Sequence, residues 1–326
     1  MGFVAKLAVA AGVLAFLASL VDWRSALVLA ARADLAWVAV ALAVTMLGVV
    51  VSAEKWRGLL DRAAVRLSLG RASRLYWIGM FFSNFLPTSV GGDAARLVLT
   101  PAPGRMVEVA SSIFVERLTG LAILVTISAL GLLLGPALFP MRPLPPALLV
   151  LVLALAAATG ALVTLPNPLR RALALLAPRL PRWLRRPVAI LARLAAAVAR
   201  QTRDHRAVGR ALLLSLPFYL TVLLAQWATL RAVGADITLA EVLVLGTVVQ
   251  LVAALPISLN GLGVAEAAFV GLYTAVGVPP HVALAAALVR RLVDLANSAL
   301  GGLLWLGYRR DGHRVDRPVL PAQHRA

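Results

Sequence analysis

Four acids and four bases interrupt stretches of this sequence that are otherwise apolar: Asp93, Glu116, Glu266 and Asp294 against Arg96, Arg117, Arg290 and Arg291. An ion held inside hydrocarbon is costly, so such residues face a bundle interior or an aqueous cavity and mark a pathway. Four against four allows a neutral network, which an anionic guest would enter by displacing one acid. In Gly91-Gly92-Asp93 the glycines open backbone geometries closed to other residues. Asp93 is placed to cap a short following helix. Free N–H groups at a helix start attract anions, and Arg96, one turn in, adds a guanidinium fork suited to phosphate. The same residues also suit a tight surface turn, with Arg96 reaching out to headgroups.

Glu116 and Arg117 sit deeper. A helix starting near 107–109 puts Arg117 roughly 12–15 Å along its axis, near the middle of a bilayer. Adjacent helical positions do not face each other, so both residues need partners elsewhere, in a functional cavity or in an ion pair that locks two helices. Arg290 lies roughly 12 Å into a helix starting near 282. Asp294 is one turn from both Arg290 and Arg291, close enough for a local pair. Asn84, Gln250 and Asn260 flank proline breaks, where they suit backbone groups freed by Pro87 and Pro256 or a polar headgroup.

Other chemistries find little support. There is no cysteine, which removes thiolate nucleophiles, thiolate metal sites and disulfides. The four histidines are scattered, with no metal-binding spacing. No cofactor or metal is expected, nor catalysis. The net charge of +18 would suggest nucleic acid in a soluble chain, but here the arginines cluster between apolar runs. The seven tryptophans mostly flank those runs, as interfacial anchors do.

The elements that must hold these residues are membrane helices. Of 326 residues 61% are hydrophobic and only 14% charged, with a mean hydropathy of +0.89; a soluble domain has roughly 45–50% and 25%. About 20 apolar residues span a bilayer, and full spans are expected at about 3–20, 35–53, 109–135, 145–165, 211–232 and 282–307, the first retained rather than cleaved. Two further apolar segments, 75–90 and 241–258, end at Pro87 and near Pro256 and read as broken or re-entrant helices. Arginines in 54–74, 166–210 and the tail after 307 place these segments and both termini on the cytoplasmic side of a bacterial-type inner membrane. Segment 166–210 includes an amphipathic stretch suited to the inner leaflet. The expected architecture is an all-α polytopic domain over 1–310, with halves at about 35–165 and 211–307, a basic linker at 166–210 and a short tail at 311–326.

The halves echo each other. Leu86-Pro87-x-Ser89 leads to Gly91, Asp93 and then "FVERLTGL"; Leu255-Pro256-x-Ser258 leads to Gly261, Glu266 and then "LVRRLVDL". With breaks inserting from opposite sides, this describes an inverted repeat, a construction common among secondary transporters and a pointer to a binding site.

The segments "NFLPTSVGGDAARL", "VERLTGL", "LPISLNGLGVAEAAFVGLY" and "VRRLVDLANSALGGLLWL" together resemble the lysylphosphatidylglycerol synthase transmembrane family, also called the flippase-like domain family. The resemblance covers roughly residues 10–307. It implies a domain that moves an amphipathic lipid (a phospholipid, aminoacylated lipid, hopanoid or polyprenyl-linked glycolipid) between leaflets. Its pattern falls on Asn84, Pro87, Gly91, Gly92, Asp93, Arg96, Glu116, Arg117, Gly261, Gly263, Glu266 and Arg291, with Glu116 where aspartate is common. No soluble aminoacyl-transferase domain follows, so lysylphosphatidylglycerol synthesis by this chain is not expected. The expected partners are membrane lipids, a separate lipid or glycolipid synthase, and a second copy of the chain. Two rival readings are a lipid-modifying membrane enzyme and a non-transporting partner that recruits a synthase.

Overall fold

Hydrocarbon offers backbone amides no partner, so a spanning segment must bond to itself as a helix. The computed structural model describes residues 11–13, 19, 21–85, 91–138, 146–164, 182–255 and 261–311, and no strand occurs among them. In chain order the helices are α1 (Trp23–Ala31), α2 (Leu35–Arg62), α3 (Leu69–Phe85), α4 (Gly91–Leu99), α5 (Met106–Leu138) and α6 (Pro146–Thr164), followed by α7 (Arg182–Arg203), α8 (His205–Ala232), α9 (Leu239–Ala253), α10 (Val264–Ala275) and α11 (Pro280–Asp311). Helices α2, α5 and α8 are long and apolar enough to cross a membrane. Their outward positions remain apolar, as at Leu133, Leu213 and Leu220, all exposed. Most of the expected first span, together with Pro87, Pro256 and the tail after 311, lies outside the described residues.

The chain is built twice. Helices α2 and α8 each have 28 residues; each is followed by a medium helix, a short helix and then a long one of 33 or 32 residues. The medium and short helices of each half form a hairpin. In the first, Gly92 meets Ser83 and the carbonyl of Gly79 so closely that a Cβ would overlap them. Tyr76 packs near Arg96 lower down the same hairpin, so α4 runs back along α3. Its open end lies at an arginine-rich face. There Arg105 donates to the carbonyls of Ala63 (3.3 Å) and Ala64 (3.2 Å), and Val65 and Leu67 share a core with Val109.

The second hairpin opens at the opposite face. Asp34, just before α2, donates its N–H to the Ala232 carbonyl at the end of α8 (2.8 Å), and Val233, Ile237 and Val278 join one core there. At its tip, Gly261 and Gly263 adopt φ of 74° and 79°, left-handed geometry that glycine enters without strain. The Glu266 carboxylate accepts the Gly263 N–H (2.8 Å) and so caps α10. The two hairpins are therefore re-entrant and inverted.

Each hairpin leans on the long helix of the other half. Gly301 and Gly302 of α11 let Trp77 and Phe81 of α3 approach to backbone contact, and the Trp77 indole donates to Asn297 Oδ1 (3.0 Å). In mirror fashion Gly131 of α5 receives Val244 of α9, whose Cα is 3.4 Å from where a Cβ would sit.

One expectation needs correction: helix α2 does not stop at 53 but runs on to Arg62, because Lys55 and Trp56 turn into the core instead of facing water. Within segment 166–210 the expected amphipathic helix is present as α7. In α7, Ala195, Val198 and Ala199 are buried, and Val198 packs against Leu59, Val115 and Ala211, so part of the apolar face covers protein while Ile190, Leu191 and Arg193 remain exposed. Asp204 then caps α8 through the Ala207 N–H (3.0 Å) and meets Arg62 (3.3 Å). That hydrogen bond first, and the arginine beside it, hold the Asp204 carboxyl below the ordinary carboxylate range.

Candidate functional site

A partly open cavity of about 690 Å³ lies between the hairpins, lined by helices from both halves. A full α-helix advances about 1.5 Å per residue, so Arg117 and Arg291, each eleven residues from its helix start, sit at mid-depth. The wall mixes apolar surface, such as Leu124, Phe218 and Phe269, with Asp93, Arg117, Glu266, Arg290, Arg291 and Asp294. Asn84 and Gly261 also line it, at the hairpin tips.

The first half contributes a dense ionic cluster. Arg96, only 3% exposed at its side chain, donates to Glu116 (2.7 Å, 5% exposed) and to Asp93 (2.6 Å). Its guanidinium lies between the rings of Trp56 and Tyr76, 4.9 and 4.5 Å from their centroids, a cation–π arrangement that strengthens away from water. The Tyr76 hydroxyl donates to the second Glu116 oxygen (2.8 Å). Asp93 also accepts from Arg117 Nη2 (3.0 Å) and Nε (3.2 Å). Unlike Arg96, Arg117 leaves 62% of its side chain accessible, and it faces the cavity. Lys55, 4% exposed, donates to the Glu116 backbone carbonyl (2.8 Å). Glycine at 120 leaves room for that ammonium and the Tyr219 hydroxyl, 3.4 and 3.5 Å from a would-be Cβ.

The second half is simpler. Glu266 accepts two bonds from Arg291, from Nη2 at 2.6 Å and Nε at 2.8 Å. Arg290 pairs with Asp294 (2.9 Å) one turn on and touches Thr45 of α2 (3.2 Å). An acid on each short helix thus holds an arginine on the following long one: Asp93 with Arg117, and Glu266 with Arg291.

All eight ionic residues singled out from the sequence are ion-paired, six of them line the cavity while Arg96 and Glu116 lie behind it, and the Arg290–Asp294 pair is local as expected. The glycines act structurally: Gly91 begins α4 and Gly92 lets the hairpin close. One expectation is overturned. Asp93 is not the cap of α4, which begins two residues earlier; its carboxylate is drawn to Arg96 and Arg117. Asn260 lies outside the described residues. Sequence reasoning missed Lys55, Trp56, Tyr76 and Tyr219. No signal in the sequence marks Lys55, because a lysine beside a tryptophan at the end of an apolar run is the pattern of an interfacial anchor.

Among known proteins, a family model described as the lysylphosphatidylglycerol synthase TM region matches residues 3–301. No curated protein and no solved structure matches the chain.

Proposed function

Because the chain belongs to the lysylphosphatidylglycerol synthase transmembrane family, we propose that it is a lipid flippase, carrying an amphipathic lipid between leaflets of a bacterial-type inner membrane. The observation that supports this most is the cavity itself: an ion-lined chamber at mid-depth, between two re-entrant hairpins that insert from opposite faces. A headgroup crossing the bilayer needs a polar stopping place where water is scarce, while its acyl chains stay in lipid. The partly accessible Arg117 offers a guanidinium to that headgroup, and Asp93 is the acid it would exchange. Opening one hairpin and then the other gives the headgroup access to each leaflet in turn. Orientation follows from charge, with the arginine-rich face cytoplasmic.

Transport fits better than covalent chemistry because each carboxylate in the network is already held by an arginine, leaving no free acid–base pair. The test is reconstitution into proteoliposomes with labelled neutral, anionic and aminoacylated lipids. One lipid class should move, and Arg117→Ala should abolish its movement while the protein still folds. Transport unchanged by Arg117→Ala would remove this cavity as the path.

A further inference from the structure

The two short helices are held in place differently. Helix α4 is pinned along its whole length. Gly92 is wedged against Ser83 and the Gly79 carbonyl, Asp93 accepts from Arg117 and Arg96, and Arg96 is sealed against Glu116. At its far end the Leu99 carbonyl accepts the Tyr308 hydroxyl of α11 (3.1 Å). Helix α10 is pinned at one end. Phe269, Val270, Leu272 and Tyr273 lie in the core, and the Tyr273 hydroxyl accepts from Gln226 (3.1 Å). From Val264 to Ala268 no apolar side chain is fully buried. Among the described residues, the one side-chain bond from that stretch to another helix is Glu266 with Arg291. The position three residues after the acid makes the difference: α4 carries a second ion there, Arg96, where α10 carries Phe269.

That single tie can part without stranding either ion. Arg291 is 23% exposed and borders the cavity, so water can take the place of a departing carboxylate. The other Glu266 oxygen stays on the Gly263 N–H (2.8 Å), so the acid keeps a partner as it moves. Arg96, 3% exposed, has no such relief. Just ahead of α10, Gly261 and Gly263 occupy left-handed backbone, element-terminal positions of the kind that absorb a hinge motion. Resting on the flippase reading, we infer that the amino-terminal half of α10 is the gate between the cavity and the outer face, with the Glu266–Arg291 pair as its latch, and that it opens more readily than the first hairpin. Ala265 lies on this half and lines the cavity, so opening the latch exposes it to the outer face while Arg96 keeps the cytoplasmic side shut.

The test is thiol labelling of the full chain, which has no native cysteine. Ala265→Cys is treated with an impermeant thiol reagent in right-side-out membrane vesicles, and the rate of modification is read. Adding Arg291→Gln should speed it about tenfold, the effect of losing a paired, charge-assisted contact on a closed population. Glu266→Gln should act in the same direction, and Arg291→Lys should stay within about twofold of the parent. In inside-out vesicles, Asn84→Cys, which also lines the cavity, should change by no more than about twofold on adding the matched Arg117→Gln, because Arg96 still holds α4. An unchanged Ala265→Cys rate in the folded latch variants, or equal rises in the two hairpins, overturns the gate and leaves the flippase reading intact. A second measurement leaves the latch untouched. A Cβ on Gly131 would lie 3.7 Å from that of Val244, a disulfide separation, so Gly131→Cys with Val244→Cys ties α9 to α5 while α10 stays free. Lipid transport should continue in the cross-linked protein; arrest that reduction relieves overturns the half-helix gate in favour of a hairpin moving whole. Faster labelling in the latch variants from a parent that moves no lipid upholds the gate and overturns the flippase reading.

Discussion

The two halves share a skeleton and differ in what they bury. In the first, Arg96 is sealed between two rings and two carboxylates, with Lys55 behind it. In the second, Phe269 is the buried residue one turn along from the acid, and Glu266 is split between a glycine turn and one arginine. A duplicated scaffold supplies symmetric access from two faces, but only the first half seals an arginine away from water, a division that substitutions at matched places can break or sharpen.

The largest difference is expected at the acids. Glu116→Ala takes from buried Arg96 one of its two carboxylates, leaving only Asp93, and from Tyr76 its acceptor, and breaking a buried pair costs about 3–5 kcal/mol. Glu266→Ala frees Arg291, which is 23% exposed and borders the cavity, so hydration limits its loss to about 1–2 kcal/mol. Thermal unfolding in detergent should rank them in that order; equal losses would mean that the two clusters are buried alike.

A smaller contrast lies in the hairpins. A methyl at Gly92 collides with the Gly79 carbonyl and Ser83, and overpacking of this kind costs about 1–3 kcal/mol. At Gly271 in α10 nothing lies within 4 Å, so Gly271→Ala should be neutral or gain up to about 1 kcal/mol of helix propensity. Loss at both positions would show that α10 is more tightly held than its packing indicates.

The gentlest pair probes sidedness. With no native cysteine, Arg66→Cys and Asp236→Cys sit at exposed turns of opposite faces and should alter stability by no more than about 0.5 kcal/mol. An impermeant thiol reagent added to intact cells should reach Asp236→Cys and spare Arg66→Cys. Labelling of both from outside would break the inverted arrangement.

Much of this architecture is legible in the residues. Long apolar runs become helices because lipid leaves the backbone no alternative, and prolines followed by glycines mark where the hairpins turn. Charge misleads where it is taken as a sign of exposure: Lys55 falls in the basic segment 54–74 expected at the cytoplasmic surface, yet it is buried in α2 against the Glu116 carbonyl and the space at Gly120. Pairing is harder to read than placement. Arg290 with Asp294 is local and visible, whereas Arg96 with Glu116 and Arg291 with Glu266 join residues 20 and 25 apart on different helices. Only packing brings them together. The aromatic box around Arg96 has no sequence period at all, since Trp56 and Tyr76 come from two helices.

The crossed support of the hairpins also sets a timetable for assembly. Trp77 docks on Asn297, a residue 220 positions later in the chain, and the glycine bed for Phe81 follows at Gly301 and Gly302. At a synthesis rate of about 5–20 residues per second, the first hairpin waits roughly 10–45 s in the membrane before its bed emerges. Through that interval it must be sheltered by lipid or by the insertion machinery, so a chain truncated before α11 should lose its amino-terminal half as well as its last helix.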